Sequence, residues 1–344
     1  MRAASYIRRR GFVARACAVL SIVSLLALLG SLCVGSAPYA FCDVWRALFA
    51  RLGVGEASAT AELVIWGIRL PRSLLAYVVG AALAVSGVLM QGVFRNPMAE
   101  PGLLGVSSGA ALGAAAAMLL GLQASFLGFS AISICAFAGG ALAVLMVLGV
   151  AGAGRGGLTA LLLSGVAVSA FLSALLSGLL SVRHEALESV YMWTLGSFAS
   201  ASFADVALAT GALALALVCS MALARDLNVV CAGSEAQLLG VNAPRVRLAA
   251  LSLATLATAT AVSVSGVIGF VGLTAPHAVR RLTGSDHRSL LPLSALTGGL
   301  FLLLADALSR TLLAPAELPV GVTTSLFGGP FFLALIRRYR GGRA

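Results

Sequence analysis

Lysine is absent from this chain, and its entire basic complement is arginine. A Walker A loop sets a lysine on the nucleotide phosphates, so the chain carries no such ATP site of its own. Charge of either sign is scarce. Asp, Glu, Lys and Arg make up 10% of the 344 residues, against about 25% in soluble domains. Six cysteines (Cys17, Cys33, Cys42, Cys135, Cys219 and Cys231) include no C-x-x-C pair. That argues against a metal or disulfide framework and favours small buried hydrophobes. The glycine-rich "GAGRGG" at 152–157 is read as a flexible turn.

What remains is 60% hydrophobic. Residues 16–42, 73–94, 156–182, 206–224, 289–305 and 318–336 each lack any charge, and the run 101–154 is long enough for two spans. A transmembrane helix needs roughly 20 mostly apolar residues. The runs are continuous and rich in Ala and Leu, unlike the alternating segments of a barrel. The expectation is an all-α polytopic membrane protein of ten helices, at about 16–36, 73–94, 103–121, 126–150, 158–180, 203–224, 248–267, 269–281, 289–309 and 320–337. One permease domain, 16–338, is flanked by cytoplasmic tails at 1–15 and 339–344. The N-terminal "RRRGFVARACAVL" imitates an export signal. Its uncharged run of 27 residues exceeds the usual 7–15 of a secretory core, so a retained first helix is expected.

The net charge of +11 does not point to nucleic acid, because the arginines punctuate apolar spans and form no basic face. With the N-terminus cytoplasmic, Arg46, Arg51, Arg69, Arg72, Arg183 and Arg310 fall outside and the other seventeen inside, as the positive-inside rule requires. Reading 248–281 as one helix would erase that bias. Two helices are therefore expected, broken in "SGVIGFVGLTAP". The segment 225–247 is too polar to span, and its "SEAQLLG" at 234–240 suggests a short helix with Ser234 as N-cap and Gly240 as stop.

The stretch "GVSSG" at 105–109 matches the nucleophile elbow of serine hydrolases, but that elbow follows a strand and no strand pattern precedes it. Gly105, Gly109 and Gly113 lie four apart, the spacing that lets membrane helices approach closely. Asp306 and Arg310 stand at i,i+4. A structural ion pair is favoured over a proton relay. For His277 a structural hydrogen-bonding role is expected.

Several stretches together carry a resemblance: "RLPRSLLAYVVGAALAVSGVLMQGVFRNPMAEPGLLGVSSGAALG" at 69–113, "MWTLGSF" at 192–198, and 269–332 with "APAELPVGVTTSLFGGPFF". They resemble the FecCD family, permeases of bacterial ABC importers for vitamin B12, haem and ferric siderophores. The resemblance implies a fold like that of the B12-importer permease. It implies a homodimer with the pathway at its interface, two cytoplasmic ATPase subunits carrying the Mg-ATP, and a periplasmic substrate-binding protein. The chain itself would bind no cofactor and catalyse nothing. It would reside in the bacterial inner membrane with both termini cytoplasmic. Position by position, Arg69, Arg72 and Arg310 match arginines that dock the binding protein. Asn96 and Met98 match a cytoplasmic gate, where the family more often has Leu at the second position. Leu158 and Thr159 align near the other gate loop. Ser234, Glu235, Ala236, Gln237, Leu238, Leu239, Gly240 and Val241 match the ATPase-coupling segment. "NPMAEPGLLGVSSGAAL" and "APAELPVGV" look closer to haem and B12 permeases, and haem is the favoured cargo.

Overall fold

The structure, a computed structural model, describes residues 2–35, 39–51, 53, 56–122, 124–126, 128–152, 157–233 and 239–341. It is almost wholly helical. The chain runs through α1 (Arg2–Cys33), α2 (Phe41–Ala50), α3 (Ala59–Val64), a π-helical turn (Ile65–Arg69) and α4 (Leu70–Phe94). A 3-10 turn (Pro101–Leu104), α5 (Val106–Leu119), a two-residue hairpin, α6 (Ala131–Val150), α7 (Gly157–Val182) and α8 (Leu187–Thr194) follow. The chain closes with α9 (Phe203–Ala232), α10 (Ala243–Ser265), α11 (Val271–Thr283), α12 (His287–Ser309) and α13 (Val320–Gly341).

Helices occupy all ten expected stretches. Seven of them are long and apolar enough for a full crossing: Gly11–Cys33, Ala59–Phe94, Ala131–Val150, Gly157–Val182, Phe203–Ala232, Ala243–Ser265 and His287–Ser309. Val106–Leu119 and Val320–Ala334 are apolar but shorter, and α11 has 13 residues. The break between α10 and α11 is present, at 266–270. Three expectations are corrected. The first helix begins at Arg2, so the expected 1–15 tail is largely helical. Helix α9 runs on to Ala232 and α10 starts at Ala243, which shortens the expected cytoplasmic segment 225–247 to the few residues between them. Leu227 and Val230 are buried on the core side of this last stretch, and the Arg95 guanidinium meets the Val230 carbonyl, so packing and capping keep α9 helical past the membrane-length stretch. The expected start of the third helix at 103 is instead the 3-10 turn, and Gly105, at φ +77°, ends it.

Helix α4 is the hub. Most of its residues are buried, including Arg72, Ser73, Ser86 and Gln91, and it packs against α9, α10, α11 and α12. In lipid, apolar contact alone does not drive helices together, and small residues permit close backbone approach. A Cβ on Gly80 would strike the Gly298 carbonyl of α12, and one on Gly298 would meet Ala84 and the Gly80 carbonyl. Polar ties reinforce the contact with α10. The Ser86 hydroxyl donates to the Ala254 carbonyl at 2.9 Å and shares a hydrogen bond of 2.7 Å with Thr258.

The unwound residues 266–270 lie beside the loop after α8 and the start of α13, two segments bonded to each other. The Ser197 N–H donates to the Ser265 carbonyl at 2.8 Å, Val320 N–H to Gly196 at 3.1 Å, and Gly321 N–H to Leu195 at 3.0 Å. Broken helix at membrane depth is tolerated where it is buried in protein, and here Gly196 and Gly321 approach the Val267 carbonyl closely.

Gly80→Leu is expected to cost about 1–3 kcal/mol through overpacking, seen as a lowered unfolding temperature in detergent. Gly211→Leu, on an open face of α9 with nothing within 4 Å of an added Cβ, should leave it nearly unchanged.

Candidate functional site

At the end of the bundle assigned to the outside, the sequence supplies three arginines, one aspartate and one glutamate, and the structure brings them together. Pro71 follows the π-helical turn inside the unbroken helix Ala59–Phe94, where the wider turn accommodates the missing proline N–H. Arg69 and Arg72 stand three residues, about one turn, apart on that helix. Arg72 Nε donates to Asp306 Oδ1 at 3.0 Å, and its Nη1 to Glu317 Oε2 at 2.8 Å. Arg310 Nε lies 3.1 Å from Asp306 Oδ2, an ion pair without aligned hydrogen-bond geometry. Arg310 also donates to the carbonyls of Val34 at 2.9 Å and Ser31 at 3.4 Å. Arg69 donates to the Leu32 carbonyl at 2.6 Å and stacks over the Tyr39 ring, 5.0 Å away. Two arginines thus cap the orphan carbonyls at the C-terminus of α1, where a helix end favours positive charge.

The expectation of outward-facing docking arginines is corrected on exposure. Arg69, Arg72 and Arg310 are 5%, 6% and 3% exposed, and Asp306 is fully buried. Each guanidinium is engaged with chain groups that would otherwise be unsatisfied, and desolvation makes an unpaired charge here too costly. Burial pushes Arg310 below its ordinary value, with the Asp306 carboxylate opposing the shift. Glu317 is the open member of the cluster, its side chain 38% exposed. The Asp306–Arg310 pair is present as expected. The sequence spacing did not reveal Arg72 as the second partner, 234 residues away from Asp306.

At the opposite end, Asn96 follows Arg95, the C-cap of α4. Its Oδ1 accepts from the Met98 N–H at 2.9 Å, and its carbonyl from Ala99 at 3.0 Å. The turn is also held by Arg95, left-handed at φ 49°, whose guanidinium reaches the Val230 and Gly233 carbonyls. Leu158 is half-buried and Thr159 exposed in the first turn of α7. No hydrogen bond joins Asn96 or Met98 to Leu158 or Thr159 among the described residues. Beyond Met98 the chain turns back into the bundle. Glu100 accepts at 3.4 Å from the N–H of Phe270, the left-handed residue opening α11. A Cβ on Gly165 of α7 would strike the Leu103 carbonyl. This re-entrant turn ties the Asn96–Met98 stretch to the α10–α11 break, and nothing in the motif spacing disclosed it.

Of the coupling segment, Ser234, Glu235, Ala236, Gln237 and Leu238 lie outside the described residues. Leu239 and Gly240 form an exposed turn, Gly240 with φ +75°, and Val241 is half-buried against the core. Among the packing glycines, Gly109 faces the Gly139 carbonyl and Gly113 the Cys135 carbonyl, so both serve close approach of α5 to α6. Gly105 does not share that face. It is the left-handed N-cap of α5, a backbone role. Ser107 has no His or Asp partner among the described residues. The nucleophile-elbow match at 105–109 is thus without a triad there, and Ser108, the neighbour of Ser107, bonds to Ser173. The His277 ring makes no hydrogen bond among the described residues and meets Phe331 edge-on, 6.3 Å between centroids, which corrects its expected hydrogen-bonding role. All six cysteines are free, Cys42 exposed and the others half-buried.

Asp306→Asn leaves two buried guanidinia short of their counter-charge and should cost about 3–5 kcal/mol. Glu317→Gln, at the open edge, should cost about 1 kcal/mol or less. Thermal unfolding of the two purified variants checks the order.

A profile of the FecCD transport family matches residues 22–338. The hemin transport system permease protein HmuU of Yersinia pestis is 41% identical over 329 residues, 94% of this chain and 96% of that protein. The cobalamin import system permease protein BtuC of Halobacterium salinarum is 43% identical over 305 residues, 88% of this chain and 80% of that protein. Among solved structures, an inward-facing transporter assigned to the metal-chelate type of ABC transporter superposes with a TM-score of 0.82 at 31% identity. It covers 94% of this chain and 99% of that one. Family profile, relatives and superposition span the same helices that the bundle is built from, and the chain belongs to the FecCD transport family of multi-pass membrane permeases.

Proposed function

We propose that this chain is the membrane subunit of an ATP-driven importer that carries an iron complex, haem foremost, from periplasm to cytoplasm across the bacterial inner membrane. The family match over residues 22–338 carries the reading, and the similarity to a hemin permease across 94% of the chain favours haem. In this reading two copies form the pathway between them, two ATPase subunits hydrolyse Mg-ATP on the cytoplasmic side, and both termini lie there. The chain supplies no cofactor site. A periplasmic delivery protein meets the end of the bundle where Arg69, Arg72 and Arg310 cluster. Because the guanidinia are turned inward and paired, a carboxylate of that protein would take the place of Glu317, the open member of the cluster, on Arg72. Such pairs give orientation and on-rate more than affinity. Asn96, Met98, Leu158 and Thr159 would close the cytoplasmic end, and 234–241 would receive the ATPase.

A groove of about 500 Å³, lined by Thr194, Val267, Gly269, Gly321, Ser325 and Leu326, runs beside the α10–α11 break. Its mixture of open backbone and apolar walls suits a bulky cargo passing without tight ligation. The alternative class, ion-coupled transport, would need a membrane carboxylate free to change protonation. Asp306, held by two guanidinia, is poorly suited to that task.

The deciding experiment reconstitutes the chain with its genomically adjacent ATPase in liposomes and adds delivery protein loaded with haem, cobalamin or a ferric siderophore. Haem-loaded protein is expected to raise ATP hydrolysis above the empty protein. Stimulation by another cargo alone would move the assignment to that cargo. Uptake without nucleotide would replace the ATP-driven reading altogether.

A further inference from the structure

Helix α2 has three faces. At about 100° per residue, Val44, Ala47 and Leu48 share one sector, Phe41, Trp45 and Phe49 the next, and Cys42, Asp43, Arg46 and Ala50 the third. The first is the protein face: Val44 and Ala47 are buried in a small cluster with Leu32, Ala61 and Ile65. The third is polar, with Asp43 and Arg46 paired at 3.9 Å on the surface. The second is an aromatic ladder. Phe41 and Trp45 stack with centroids 6.1 Å apart, and Trp45 and Phe49 lie 4.6 Å apart. Phe41 is 57% and Trp45 47% exposed.

A helix in bulk water would have two faces, protein and solvent. Protein, aromatic and polar sectors succeeding one another around a single helix are what the flank of a membrane protein at the headgroup boundary requires. Three further observations place that boundary here. Helix α1, which leads into α2, leaves Val19, Ile22, Val23, Leu25 and Leu26 exposed. Helix α2 is joined to the end of α1, Tyr39 N–H reaching the Cys33 carbonyl. Trp66, at the start of the span Ala59–Phe94, donates its Nε1–H to the Ala47 carbonyl at 2.9 Å, and Arg51 lies over its ring at 5.1 Å. Two of the three tryptophans of the chain therefore lie at one end of the spans, one on α2 and one bonded to it, where interfacial aromatic belts form.

We infer that α2 lies in the headgroup layer of the leaflet at the Asp306 end of the bundle, with Phe41, Trp45 and Phe49 turned toward the acyl chains of the phospholipids. It fastens the α1–α4 connection to the membrane surface and so sets the depth at which the arginine cluster sits. The inference needs only that the chain spans a membrane. It does not depend on cargo or on ATP.

The test uses the full chain in nanodiscs of phosphatidylethanolamine and phosphatidylglycerol, with Trp66→Phe and Trp193→Phe leaving Trp45 as the sole tryptophan. Lipids brominated near the headgroup end of the acyl chain should remove most of the Trp45 emission, and aqueous acrylamide little of it. Strong acrylamide quenching with none from brominated lipid would overturn the inference. So would protection from acrylamide that arises only when a delivery protein is added, which marks a protein-docking face. If the double substitution does not fold, the same two quenchers are compared between the unaltered chain and Trp45→Phe. The difference then reports Trp45: quenching by brominated lipid supports the inference, and quenching by acrylamide alone overturns it.

Discussion

Burying charge in a membrane protein is possible only where opposite charge and backbone dipoles meet it, and the cluster around Asp306 is where this chain does so. Arg72 comes from α4, Asp306 and Arg310 from α12 and its end, Glu317 from the loop before α13, and the accepting carbonyls from the end of α1. Four parts of the chain are thereby locked at one end. The same α4 and α12 touch through Gly80 and Gly298 a few turns further in. The ionic contact sets register, and the glycines let the backbones follow it. Neither would hold the pair alone, since lipid competes with every apolar contact the helices make.

The opposite requirement governs the break between α10 and α11. Residues 266–270 leave the helix, Ser265 before them accepts from Ser197 in the loop after α8, and that loop is bonded in turn to the start of α13. Glu100 adds a tie from below, through the Phe270 N–H at the head of α11. The segment after α4 is thus joined physically to the break.

Much of the fold was legible along the chain. Uncharged runs located helices in all ten expected stretches, and the arginine asymmetry required the split inside 248–281 that the structure contains. Asp306 and Arg310 were paired by spacing alone. Gly109 and Gly113 were correctly read as places of close approach, because a four-residue spacing of missing side chains is a local fact. Less legible were Gly105, whose role depends on its left-handed backbone, and His277, whose neighbour Phe331 lies on another helix. The continuation of α9 to Ala232 was hidden because a polar sequence near a helix end looks like a loop until Arg95 is seen capping it from α4.

The sequence by itself determined the solvent of this protein, the places of its helices and the family to which they belong. Those follow from hydropathy, charge asymmetry and motif order, all of which are one-dimensional. Only the tertiary structure decided that the three arginines face inward, that Arg72 shares Asp306, and that the stretch after Met98 turns back into the bundle. These are contacts between residues far apart in the chain, and no local pattern encodes which side of a helix a distant partner will occupy.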